Sequence, residues 1–124
     1  NGADWTDEEG NVIPYTRLTK PSEPVRSYAY CSDTRYLPML HECLKDVSVL
    51  YHESTYSEED ETMANMYFHS TAAQAAKVAS DARVGKLVLG HYSARYDDEN
   101  KLLAEAKNIF PNTILSDEGL IIDI

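Results

Sequence analysis

The chain's 124 residues allow one domain with a modest core, and no apolar run is long enough to span a membrane. Twenty-one acidic residues against eleven basic ones leave a net charge of −10, which excludes a binder that neutralises nucleic-acid phosphates with lysine and arginine alone. The two cysteines, Cys31 and Cys43, lack metal-type spacing and read as reduced thiols of a cytoplasmic protein.

In chain order, residues 1–25 are polar and hold Pro14, Pro21 and Pro24, three of the five prolines. They read as a lead-in loop with one short strand at Val12 and Ile13. "RSYAYCSD" predicts a strand ending at Ser32 and Asp33, and "YLPMLHECLK" a short helix. "VSVLYHES" has the continuous apolar run of a strand buried on both faces of a parallel sheet. The acidic start of "SEEDETMANM" suits a helix N-terminus. "STAAQAAKVASDA" predicts a helix with Thr71 and Gln74 at capping-box spacing, its alanines 72, 75, 76 and 79 forming a smooth face for a sheet. A strand over 86–90 follows, then a helix "DENKLLAEAKNIF" with Leu102, Leu103, Ala106 and Ile109 on one side. "TILS" and "LIIDI" read as two last strands around a turn at Asp117, Glu118 and Gly119. The order β-α-β-α-α-β-α-β-β predicts α/β layers with helices packed on a largely parallel sheet.

Each of the three central strands ends in a ligand or acid–base group: Asp33, the pair His52 and Glu53, and His91. Parallel sheets gather the C-terminal ends of their strands along one edge, where ligands bind. His69, just ahead of the capped alanine helix, is placed to reach the same edge, which also favours an anion. Taken singly, each residue has a plain structural reading: Asp33 as a turn former, His52 as a packed core histidine, His69 as a residue ahead of a cap, Arg95 as a surface cation. Glu53 is the hardest to read that way, because a carboxylate after a buried strand needs partners. Their joint pattern points to a site.

The segments "SDTRY", "HEST", "HSTAAQAA" and "GHYSARY", followed by "EAKNIFPNTILSDEGLIIDI", resemble the C-terminal half of ribonuclease Z, a tRNA 3′-processing endonuclease family of the metallo-β-lactamase superfamily. The resemblance covers the chain from Arg26 onward and, more loosely, residues 1–25. It implies an α/β fold over 26–124: the C-terminal half of a metallo-β-lactamase αβ/βα sandwich, a mixed sheet with helices packed on one face. It also implies a site with two zinc ions (Zn2+) when complete, Asp33 bridging both and His91 ligating one. His69 would act as general acid, oriented by Glu53, with Arg95 and Ser93 on a substrate phosphate. Departures from the family pattern are Ser32, Tyr36, Ser54 and Tyr92, none of which removes a reactive group.

The family's His-x-His-x-Asp-His cluster is missing, since the histidines stand at 41, 52, 69 and 91. The remaining metal ligands and the tRNA-gripping arm are therefore expected in an N-terminal half, which also accounts for the acidic balance. The expected partner is precursor tRNA, acted on by a cytoplasmic homodimer with no membrane association, and these residues alone are expected to be inactive. Two other functions remain open on the residues: another binuclear zinc hydrolase acting on a small phosphodiester or sulfate ester, and a non-catalytic α/β module that binds an anion.

Overall fold

A computed structural model describes residues 2–124. Near its start, β1 (Trp5–Thr6) and β2 (Val12–Ile13) pair antiparallel as a small hairpin, followed by a single helical turn, α1 (Tyr15–Leu18). The main sheet is built from β3 (Tyr28–Cys31), β4 (Val49–Glu53), β5 (Lys86–Gly90) and β6 (Thr113–Leu115). They lie in the order β3-β4-β5-β6 and are parallel throughout. Among the described residues, antiparallel strand pairing is thus confined to the hairpin. The connections carry α2 (Leu40–Cys43), α3 (Glu61–Tyr67), α4 (Ala72–Ala82) and α5 (Asn100–Ile109). Among the described residues, no helix is long and apolar enough to cross a membrane.

Alternation along the strands divides the sheet into two faces. Leu50, Leu87 and Leu89 point to the side covered by α4 and α5, where they pack with Ala72, Ala75, Ala76 and Ala79 and with Leu102 and Ala106. The alanine face works as expected: α4 lies close on the sheet because no side chain holds it away. Its N-terminus carries the predicted capping box, with Gln74 N–H donating to the Thr71 hydroxyl at 3.1 Å and Thr71 N–H to Gln74 Oε1 at 3.0 Å. On α5, Leu102 and Ala106 are fully buried, but Ile109, the last residue of the helix, is exposed.

The opposite face carries Tyr28, Tyr30 and Tyr51, with the Tyr30 and Tyr51 rings stacked 4.6 Å apart. "LIIDI" does not form the expected strand. The chain after Leu115 runs past Tyr28, Tyr51 and Val88, burying Val88 without a ladder, and its Ile124 carbonyl accepts from Arg26 Nη1 at 3.0 Å.

Register fixes where the strand ends fall. Cys31, His52 and Leu89 are level across β3, β4 and β5, and Glu53 is level with Gly90. Asp33, Glu53 and His91 therefore emerge at the same edge. The turn out of β5 is made by His91 itself, at φ +58°, rather than by Gly90. Gly90 has a different reason to be glycine: a Cβ there would run into the Tyr51 ring, 2.5 Å from its Cε2. Asp33 leaves β3 in the same left-handed conformation, at φ +56°. Such non-glycine positions cost on the order of 1–3 kcal/mol and gather where function requires them.

Candidate metal centre

Four sequence-predicted residues meet at this edge. His69 Nδ1 lies 2.9 Å from Glu53 Oε1 and 3.5 Å from Asp33 Oδ1, and His91 Nε2 lies 4.0 Å from the same Asp33 oxygen. The two imidazoles face one another, centroids 5.3 Å apart and planes within 28°. Ligand atoms of Asp33, His69 and His91 all fall within 4.8 Å of one another. A carboxylate and imidazole nitrogens are donors that a divalent zinc-type ion accepts, and the gap between them is wide enough for one. The donor set therefore fits a metal. Asp33 offers exposed carboxylate oxygens and His91 its Nε2, while His69, with Nδ1 engaged by Glu53, has its Nε2 left over.

Glu53 is the buried anchor. Its carboxylate has no solvent exposure and accepts from the backbone N–H groups of Thr34 (2.9 Å), Thr55 (3.2 Å) and Ser70 (3.1 Å). The Thr55 hydroxyl donates to it at 2.7 Å. Together with His69, these donors satisfy a group that would otherwise be costly to bury. They also tie together the loops after β3, after β4 and ahead of α4.

Thr55 was not singled out in the sequence. Its hydroxyl touches His91 Nδ1 (2.8 Å) and His69 Nδ1 (3.2 Å) as well as Glu53. The available signal was its place two residues after Glu53 in "HEST", on the same loop at the sheet edge.

Arg95 and Ser93 are placed beside the cluster and engaged locally. Arg95 Nη1 lies 3.3 Å from Asp60 Oδ1, and the guanidinium sits 5.5 Å above the Tyr56 ring. Asp60 also accepts from the Tyr96 phenol at 2.5 Å; this bond first, and Arg95 after it, holds the carboxyl below its usual range. Ser93 N–H donates to the Thr55 carbonyl at 3.1 Å, bracing the loop that carries Thr55. A groove of about 580 Å³ opens past His91, lined also by Glu99, Asp117 and Glu118. Those carboxylates repel a bare phosphate, so an anion here would depend on bound cations.

His52 stays out of the cluster. It lies on the helix-covered face, fully buried, its Nδ1 2.8 Å from the Glu53 carbonyl and its Nε2 without a partner. Burial pushes its pKa below the ordinary 6.5. The unfolded chain then takes up a proton that the folded chain refuses, so His52 contributes stability above pH 6.5 that is lost as pH falls below it. Urea unfolding at a series of pH values is expected to show stability falling through this window, and a flatter fall in a His52→Phe variant. An unchanged slope in the variant would place the pH dependence elsewhere.

Two departures from the family pattern are structural. Ser54 donates its hydroxyl to the Gly90 carbonyl at 3.1 Å, and the Tyr92 phenol donates to the Leu89 carbonyl at 2.6 Å. Each ties a loop to the end of β5.

No family model matches the chain. Among curated proteins, a ribonuclease Z of Bacteroides fragilis is 52% identical over 124 residues, which is all of this chain and 41% of that protein. A ribonuclease Z of Bacteroides thetaiotaomicron is also 52% identical over 124 residues, 39% of its length. The chain thus spans about two-fifths of the length of these relatives. Among solved structures, a metallo-β-lactamase fold protein of Bacillus subtilis, YhfI, superposes with a TM-score of 0.68 at 21% identity, covering 73% of this chain and 37% of that one. The short form of human tRNase Z superposes with a TM-score of 0.54 at 26% identity, covering 68% of this chain and 27% of that one.

Proposed function

We propose, from the premise that this chain belongs to the ribonuclease Z family over every residue it spans, that it carries one side of a site for removing the 3′ trailer of precursor tRNA by hydrolysis. The observation that carries the reading is the juxtaposition at one sheet edge of the His69–Glu53 pair, 2.9 Å apart, with the free donors of Asp33 and His91. The intact protein would act in the cytoplasm as a homodimer, and the remaining metal ligands would come from the part of the family not spanned here.

Asp33 and His91 Nε2 would hold the metal side of the site. Zinc ions bound there would supply Lewis acidity toward the scissile phosphate and acidify a water. Glu53 keeps the His69 Nδ1 proton in place, which leaves Nε2 as the atom from which a proton passes to the departing ribose 3′-oxygen. Arg95 would offer its fork to a neighbouring phosphate, sharing or leaving its pairing with Asp60, while Ser93 holds the loop beneath it. The products would be a tRNA with a 3′-hydroxyl and a trailer with a 5′-phosphate.

The test is to incubate the intact protein with a precursor tRNA bearing a 3′ trailer and, separately, with a small aryl phosphodiester, then map the ends. Chelator-sensitive cleavage of the precursor with those end groups is expected. Turnover of the small diester alone would replace this reading with that of another binuclear hydrolase, and turnover of neither would favour a non-catalytic module.

A further inference from the structure

The Thr55 hydroxyl stands between the buried carboxylate and both histidines, and counting its protons decides what it does. It has one proton to donate and two lone pairs to accept with. Three possible acceptors surround it: Glu53 Oε2 at 2.7 Å, His91 Nδ1 at 2.8 Å and His69 Nδ1 at 3.2 Å. Glu53 has the stronger claim. Backbone N–H groups of Thr34, Thr55 and Ser70 already address its two oxygens, so the group can only accept, as a carboxylate does. Hydrogen bonds to such a group are the shorter and stronger kind. His69 Nδ1, in turn, is spoken for at 2.9 Å by Glu53 Oε1 and must carry its own proton.

With the Thr55 proton directed to Glu53, the hydroxyl oxygen can only accept from His91. His91 must then be protonated on Nδ1, with its lone pair on Nε2, the nitrogen 4.0 Å from Asp33 Oδ1. The opposite arrangement, in which Thr55 donates to His91, would put the ring proton on Nε2 and block the atom that faces Asp33. It would also cost the fully buried Glu53 carboxylate its shortest hydrogen bond, the one from Thr55 at 2.7 Å.

We infer that Thr55 is a positioning residue that relays the acceptor character of Glu53 to His91, fixing its Nδ1–H tautomer and so presenting Nε2 to a metal. One buried carboxylate thereby sets both histidines: His69 directly through Oε1, and His91 through the threonine hydroxyl on Oε2. The relay also steadies a ring that needs it. His91 sits at φ +58° with 42% of its side chain exposed, and among the described residues Thr55 is the hydrogen-bond partner its ring has. Outer partners of this kind orient metal-binding histidines and fix their tautomers.

The inference rests on the reading of His91 as a ligand, so its test separates tautomer, metal and reaction. The intact protein is labelled with 15N-histidine, and long-range 1H–15N correlations are recorded metal-free, followed by zinc titration. Wild type is expected to show His91 protonated on Nδ1. Thr55→Val is expected to shift it largely to the Nε2–H form and to weaken zinc binding by about 10–100-fold. Thr55→Ser, which keeps the hydroxyl, should restore both. A wild-type His91 protonated on Nε2 overturns the inference without any variant, as does a Thr55→Val protein that keeps the wild-type tautomer and zinc affinity, or a Thr55→Ser protein that behaves like Thr55→Val. A protein with the expected tautomer and zinc response that leaves precursor tRNA uncut supports the role of Thr55 while overturning the proposed substrate.

Discussion

Replacing His69 with alanine in the intact protein is expected to slow single-turnover cleavage of precursor tRNA by about 10²–10⁴-fold, the usual contribution of a positioned general acid. Metal content should stay unchanged. The loss in rate follows from Nδ1, whose pairing with Glu53 Oε1 at 2.9 Å orients the ring for proton transfer from Nε2. The unchanged metal content follows from the proposed division of roles, in which Asp33 and His91 hold the metal. The variant should fold, because the Glu53 carboxylate still accepts from the Thr34, Thr55 and Ser70 N–H groups and from the Thr55 hydroxyl. A substrate with sulfur in place of the bridging 3′-oxygen separates an acid from a mere scaffold. A thiolate departs without needing a proton, so His69→Ala should cut that substrate nearly as fast as the wild type does. An equal loss on both substrates would assign His69 a structural or metal role instead.

Asp33→Asn is expected to do the reverse, removing metal and activity together while sparing the fold. The side chain is 72% exposed, so its exchange for an isosteric amide disturbs little packing. Asparagine also tolerates the left-handed φ of +56° at this position better than most residues do. Stability should change by no more than about 0.5 kcal/mol, as for surface substitutions in general. An amide, however, lacks the charge and the paired oxygens with which a carboxylate bridges two cations. Metal analysis after dialysis should find reduced stoichiometry, and cleavage should fall below detection. Full metal content and full activity in Asp33→Asn would remove Asp33 from the centre.

The parts legible in the sequence were those governed by local rules. The capping box at Thr71 and Gln74, the alanine face of α4 and the apolar runs of β4 and β5 each depend on neighbours in sequence, and each stands where the pattern places it. The convergence of Asp33, Glu53, His69 and His91 was legible one step further out, because parallel strands must end at one edge. Three features were not legible, for stated reasons. "LIIDI" has the composition of a strand but crosses the tyrosine face of the sheet without pairing at either edge, Leu120 and Ile122 passing beside Val88 while Ile121 stays exposed. Gly90 looks like a turn residue, yet it is the space it leaves for Tyr51 that matters, a contact across strands invisible to spacing. Thr55 looks like any polar residue after a strand; its three-way contact exists only once the ends of β4 and β5 and the lead into α4 are assembled. Arg95 is a related case, because its pairing with Asp60 crosses from the loop after β5 to the helical turn that leads into α3.

The central claim is that the edge formed by Asp33 and His91 is one side of a catalytic metal centre. Its most direct test is anomalous diffraction at the zinc absorption edge from crystals of the intact protein grown with zinc. The account predicts a peak at metal–ligand distance, about 2.0–2.2 Å, from both an Asp33 carboxylate oxygen and His91 Nε2. A protein whose anomalous peaks all lie away from these two atoms, or which shows none at full zinc loading, would contradict it.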